Sequence, residues 1–183
     1  MLRINKKSIQ KIGMAITLAG FAIGGSLAEF ASAPAYAATK NSTISRQEAI
    51  DIAQKEVKGT LLKTELDHEN GRLVYEIDIL HSSNTKYDLD IDASSGKIVR
   101  TKKTQYRKQN AEKLRSAKIT HNKAIEIAKK DTGASTLLSC ELDIENKKLV
   151  YEVTLTDGKY TEYELIIDAS TGTILFSDTD YDD

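Results

Sequence analysis

The sequence predicts an α+β protein made of two tandem units, each with one helix packed on an antiparallel sheet of three or four strands. Three observations carry this expectation. The stretch from Ile44 to Val99 returns, only slightly altered, as Ile119 to Leu175. Within each copy the apolar period changes from about 3.6 to 2, which is a helix followed by half-buried strands. Turn signals then divide the strand-like part: Asn70-Gly71, the polar run His81 to Thr85, Asp157-Gly158, and the pair Asp92-Ala-Ser-Ser-Gly96 and Asp168-Ala-Ser-Thr-Gly172. The duplication also bears on function, because a residue present in one copy only is a poor candidate for a role shared by both.

Arg3, Lys6, Lys7 and Lys11 precede an apolar run from Ile12 to Leu27, and a small-residue stretch ends Ala35-Tyr36-Ala37. This is the layout of a secretory signal peptide over residues 1–37, with cleavage expected between Ala37 and Ala38. An uncleaved anchor is the alternative, although the apolar run is shorter than the roughly 20 residues that span a bilayer. A secreted or envelope location is therefore expected, with no Cys near the site to carry a lipid. Beyond residue 37 the chain has one cysteine, Cys140, so no internal disulfide can form. Cys140 shares strand parity with Leu138, Leu142 and Ile144 and is expected to be a core thiol.

In the first copy Ser45 and Glu48 form a capping box, with Ile44 and Ala49 at the staple positions. The helix they start should run from about Arg46 to Val57 and bury Ala49, Ile50, Ala53 and Val57. In the second copy Thr120 is the cap and Ala124, Ile125, Ile127 and Ala128 form the stripe, but Lys123 replaces the capping acid. Strands follow: Leu73, Tyr75, Ile77 and Ile79 alternate with polar residues, as do Tyr87, Leu89 and Ile91, and the second copy repeats both patterns. One residue more separates helix from strands in the second copy: Ala49 recurs 75 positions later and Tyr75 recurs 76 positions later. In the hairpin turns Asp92 and Asp168 can accept backbone N–H groups, and Gly96 and Gly172 can take a positive φ, so these four residues read as structural. The segments 41–101 and 119–177 are thus the two modules, 102–118 a basic connector and 178–183 an acidic tail.

The helix E-A-I-x-I-A (Glu48 to Ala53), the Y-E-[IV] strands (Tyr75 to Ile77, Tyr151 to Val153) and the D-A-S-x-G-x-I hairpins (Asp92 to Ile98, Asp168 to Ile174) resemble the PepSY family. The resemblance covers both modules and is similar in layout to small exported Gram-positive proteins with tandem PepSY units. It implies a cystatin-like arrangement of helix on sheet and a role in restraining peptidase activity in or near the cell envelope. It implies no catalytic residue.

The residues agree on that last point. No H-E-x-x-H, G-x-S-x-G, P-loop or dinucleotide turn occurs. His68, His81 and His121 fall in turns or at a helix start, where surface histidines are expected rather than metal ligands. No cofactor, metal or nucleic-acid partner is expected.

Charge is the remaining signal. Alternation places Glu65, Asp67, Glu76, Asp78, Asp88 and Asp90 on the sheet face away from the first helix, and Glu141, Asp143, Glu152, Glu162 and Glu164 on that of the second. Such a face is expected to be solvated. Like charges opposite one another destabilise a sheet, so a positive counterpart is expected as well: the basic connector, a partner's surface or divalent cations. From Arg100 to Lys118 eight basic residues face Glu112 alone, and a helix is expected there from about Thr104 to Ala117. Arg100, Lys102, Lys103, Arg107 and Lys108 are the candidate interaction residues. The function expected is a non-enzymatic protein that binds an envelope or secreted peptidase, by strand addition or by occluding a cleft with a hairpin. The alternative is an envelope-binding or scaffolding module that uses the connector on wall polymer or membrane surface.

Overall fold

The computed structural model describes residues 43–158 and 161–181. The expected signal peptide, with its Ala37–Ala38 cleavage site, lies outside the described residues. Helix α1 (Arg46–Glu56) leads to β1 (Gly59–Glu69), β2 (Arg72–His81), β3 (Thr85–Asp92) and β4 (Ile98–Gln105). A short α2 (Lys108–Leu114) and α3 (His121–Thr132) precede β5 (Thr136–Glu145), β6 (Lys148–Thr156), β7 (Thr161–Asp168) and β8 (Ile174–Tyr181). No described helix is long and apolar enough to cross a membrane.

The α+β class stands, but the two small sheets do not. All eight strands form one antiparallel sheet in the order β4-β3-β2-β1-β5-β6-β7-β8. The join is β1 against β5, where Lys63, Thr64 and Glu65 pair with Glu141, Cys140 and Ser139. Left apart, each module would expose the backbone of its first strand as an open edge, and pairing the two removes both edges at once. Thr64 and Cys140 are equivalent residues of the two copies, so a pseudo-twofold axis passes between them and keeps α1 and α3 on the same side of the sheet. Pattern reading cannot reveal this join, because hydrophobic alternation gives the face of a strand and not its neighbour.

Other boundaries move for related reasons. β4 continues to Gln105, so Lys102 and Lys103 belong to a strand rather than to a connector. The helix expected over 104–117 shrinks to Lys108–Leu114. Asp178 and Asp180, expected in a tail, lie in β8. Leu62 and Leu138 are bulge residues, which shifts the parity of the strand beyond each. The extra residue of the second copy sits at the end of α3, where Gly133 at φ 73° makes the left-handed cap that α1 lacks.

The capping box at Ser45 and Glu48 is complete, and Thr120 caps α3 through the Lys123 N–H. Ala49, Ile50, Ala53 and Val57 pack on Tyr75, Ile77, Ile79, Leu89 and Ile91. The second core extends beyond its own module, for Ala111 and Leu114 of α2 and Leu62 and Leu80 of the first half join it. This is how two units, each near the size limit for a self-sufficient core, support one another.

In each copy the hairpin is fastened to the helix start. The Tyr75 hydroxyl donates to Ile44 O and the Tyr151 hydroxyl to Ile119 O, both at 3.2 Å. Asp92 accepts from the N–H groups and hydroxyls of Ser94 and Ser95, which hold its carboxyl down to about 2. Asp168 repeats the arrangement with Ser170 and Thr171. Gly172 has φ 76°, and a Cβ there would come within 3.0 Å of Ile127 Cδ1 on α3, whereas one at Gly71, φ 77°, would meet nothing within 4 Å. Gly172→Ala should therefore cost about 1–2 kcal/mol in denaturant unfolding, and Gly71→Ala only the backbone share of that. Equal losses would mean that the hairpin does not press on the helix.

Candidate functional site

The sheet face away from the helices carries two polar rows. One reads Lys102, Asp88, Asp78, Lys63, Glu141, Glu152, Ile166, Phe176 across the ladder, and the next reads Arg100, Asp90, Glu76, Glu65, Ser139, Thr154, Glu164, Asp178. The face is not solvated as expected: Asp78, Asp88 and Asp90 are only 2%, 6% and 0% exposed. Cations with long apolar stems lie across them. Lys86 Nζ stands 2.6 Å from Asp78 and 2.9 Å from Asp88. Lys63 Nζ stands 2.5 Å from Glu65 and 3.0 Å from Glu76. Arg100 donates from Nε and Nη2 to Asp90 and reaches Glu69 at 3.5 Å. Burial pushes the Asp78 carboxyl up to about 6 against the opposing pull of Lys86.

The counter-charge therefore comes chiefly from within the strands. Lys63 and Lys86 escaped sequence reasoning, although Lys86 has the same parity as Asp88 and Asp90 and was legible on that ground. Lys63 shares the parity of Glu65 and Asp67 beyond the Leu62 bulge and was legible on the same ground. Of the five candidate interaction residues, only Arg100 is paired with a buried carboxylate. In the second half the equivalents of Lys63 and Lys86 are Ser139 and Glu162, so these two cations are not repeated. Burial pushes Glu141 up to about 7, with Lys63 opposing, and pushes Glu152 up to about 7 with Glu145 and Glu141 adding to it.

A second polar place lies on the helix side of the seam. His121 is buried rather than at the surface, because the start of α3 abuts the β1–β5 join. Its Nε2 donates to Cys140 O at 3.1 Å and lies 3.3 Å from Thr64 Oγ1, and burial pushes its pKa down to about 4. Arg46, its equivalent on α1, donates to Leu137 O across the same seam at 2.5 Å. The Cys140 thiol is fully buried and burial pushes its pKa up, so the expected core thiol and the geometry agree, and His121 addresses the Cys140 backbone rather than the sulfur. Among the described residues no group of three or more His, Cys, Asp or Glu is arranged to hold a metal ion.

The third place is the β4 edge of the sheet. Every residue of β4 after Ile98 is exposed, and no described strand pairs with its outer side. Lys102 stands opposite Asp88 in the ladder, and Lys103 Nζ lies 5.0 Å above the Tyr87 ring. Where β4 meets α2, an open cleft of ≈ 480 Å³ is lined by Lys86, Lys102, Thr104, Gln105, Arg107 and Asn110, among others. Lys108 faces Glu112 one turn on, at 3.8 Å. The structure thus brings Lys102 and Arg107 to one cleft and commits Arg100 to Asp90. An exposed strand edge with cations beside it can take an extended, acidic segment by main-chain hydrogen bonding; nothing in this arrangement is set up to break or make a covalent bond.

One helix laid over four antiparallel strands, with a D-A-S-x-G hairpin tied to the helix start, and the whole repeated within one continuous sheet, defines a duplicated helix-on-sheet module. The family model for the PepSY domain, described as peptidase propeptide and YPEB domain, matches residues 43–102 and again 118–178, and the chain belongs to this family. The match indicates no catalytic family. A relative in Bacillus subtilis (strain 168), the uncharacterized protein YkoJ, is 31% identical over 144 residues, which is 79% of each chain. Among solved structures, the protein CD1622 from Clostridium difficile 630 superposes with a TM-score of 0.47 at 19% identity, covering 78% of this chain and 97% of that one. YpmB from Bacillus subtilis does so with a TM-score of 0.33 at 21% identity, covering 73% and 96%.

Proposed function

We propose that this is an exported, non-enzymatic PepSY protein that docks on another envelope or secreted protein, a peptidase by class, through strand addition at β4. The observation that carries the reading is the β4 edge itself: an eight-residue strand, exposed beyond Ile98, with Arg100, Lys102 and Lys103 along it. Membership of a family described as peptidase propeptides supports the choice of partner class. The cationic start, apolar run and Ala35-Tyr36-Ala37 end of the N-terminal sequence support export. The test is capture of a peptidase from the native envelope by the purified chain, followed by inhibition of that peptidase. Lys102→Glu with Lys103→Glu should weaken both, and inhibition unaffected by these changes would remove β4 from the reading.

A second reading rests on the cleft at the β4–α2 junction, where Lys102 and Arg107 stand beside the Lys86–Asp88 pair. There the protein would hold anionic groups of the wall or membrane surface and act as an envelope-binding module. This predicts retention on isolated cell walls that falls with salt and with Arg107→Glu. Retention unchanged by either would reject it.

A further inference from the structure

The two ends of the sheet carry opposite charge. β4 has Arg100, Lys102 and Lys103, while β8 has Asp178 and Asp180 and no cation. Charges on edge strands ordinarily deter edge-to-edge pairing, and two edges of like sign would do so. These two do the reverse toward one another. Because the sheet has eight strands, all antiparallel, β4 and β8 run in opposite directions. A second copy set beside β8 with the same face up therefore presents its β4 antiparallel to it.

One register satisfies the side chains. Placing Lys102 opposite Asp178 puts Arg100 opposite Asp180 on the same polar face, and it brings Val99, the bulge residue between Ile98 and Arg100, to the end of the strand that carries Tyr181. Arg100 and Lys102 lie on that face because they pair with Asp90 and Asp88, and Asp178 and Asp180 because they pair with Glu164 and Glu162. Val99 and Tyr181, at 49% and 75% exposure, are the exposed large hydrophobic residues among those described. Each lies on an outer strand, and the register that pairs the charges brings them to the same end of the contact.

We propose that β8 of one copy pairs with β4 of the next, continuing the sheet from chain to chain. The contact is head to tail, so it does not close on itself as a twofold dimer does and builds open chains. It goes beyond the docking role proposed for β4 and would compete with it, since a copy whose β4 is covered cannot take a peptidase there.

The test is sedimentation velocity on the compact unit Asn41–Asp183 over a concentration series at low salt. The expected result is a mass that climbs past two copies with concentration and falls as salt is raised. Asp178→Lys and Lys102→Glu should each weaken association about tenfold or more, since each turns an attractive cross-strand pair into a repulsive one. An equimolar mixture of the two variants should regain it, because the two reversed charges then face one another with opposite sign while the native pair forms at the other contact. Lys102→Gln, which adds no acid beside Asp88, should weaken association less and serves if the glutamate variant does not fold. A wild-type chain that stays monomeric, association that stops at two copies, or variants that do not rescue one another would overturn the proposal. Peptidase capture does not enter this readout, so failure here leaves the docking role standing.

Discussion

Lys86→Gln is expected to destabilise the protein by about 3–5 kcal/mol at neutral pH, the largest effect of any single polar substitution, because it leaves charged carboxylates buried without a partner. The Nζ group lies between Asp78 and Asp88, whose side chains are 2% and 8% exposed. Removing it strands both, and they face one another directly across β2 and β3. Burial already pushes Asp78 up to about 6, so the loss should shrink as pH falls through that value and the carboxyl takes up a proton. The measurement is denaturant unfolding at pH 7.5 and 5. Asp78→Asn with Asp88→Asn should recover most of the loss in the Lys86→Gln background. A loss below about 1 kcal/mol, the ordinary worth of a surface pair, would mean that water reaches the row.

The second half should behave in the opposite way, gaining stability when charge is removed. Glu141 and Glu152 face one another across β5 and β6, and each carboxyl is pushed up to about 7. The folded chain then binds protons that the unfolded chain, with ordinary glutamates, does not bind above pH 5. Stability must therefore rise as pH falls from 8 to 6.5, and the contribution is lost as pH rises through 7. His121 has the other sign: its pKa of about 4 makes its contribution full above 6.5 and lost as pH falls from there toward 4. The interval from 8 to 6.5 is thus the one that the glutamates dominate. Glu141→Gln should raise stability at pH 8 by about 1–3 kcal/mol and flatten the slope there, with a smaller gain at pH 5.5 that vanishes only below about pH 4, where unfolded glutamate is protonated too. Thermal melting across that interval measures it, and a wild-type melting temperature that falls on acidification from 8 to 6.5 would refute the account.

These two results share a cause that the sequence displays only in part. The alternating acids were legible as one face, because strand parity is a local property. Their pairing was not. Lys63 reaches Glu76, Lys86 reaches Asp78 and Arg100 reaches Asp90, each from a neighbouring strand, so every pair depends on which strands lie side by side and in what register. The basic connector, read as a separate element, dissolved into the edge of the sheet and a helix of two turns.

The sequence by itself determined the duplication, the helix caps, the hairpin turns at Asp92–Gly96 and Asp168–Gly172, the burial of Cys140 and the family. The caps, turns and burial follow from residues within one helix, strand or turn of each other, where spacing is the geometry, and the duplication and the family from the order in which those local patterns recur. Tertiary structure alone decided that β1 and β5 join the copies into one sheet, that His121 and Arg46 meet across that seam, and that a basic and an acidic strand stand at opposite ends. Those features depend on which edges find one another, and edge pairing is made by backbone groups that every residue carries alike.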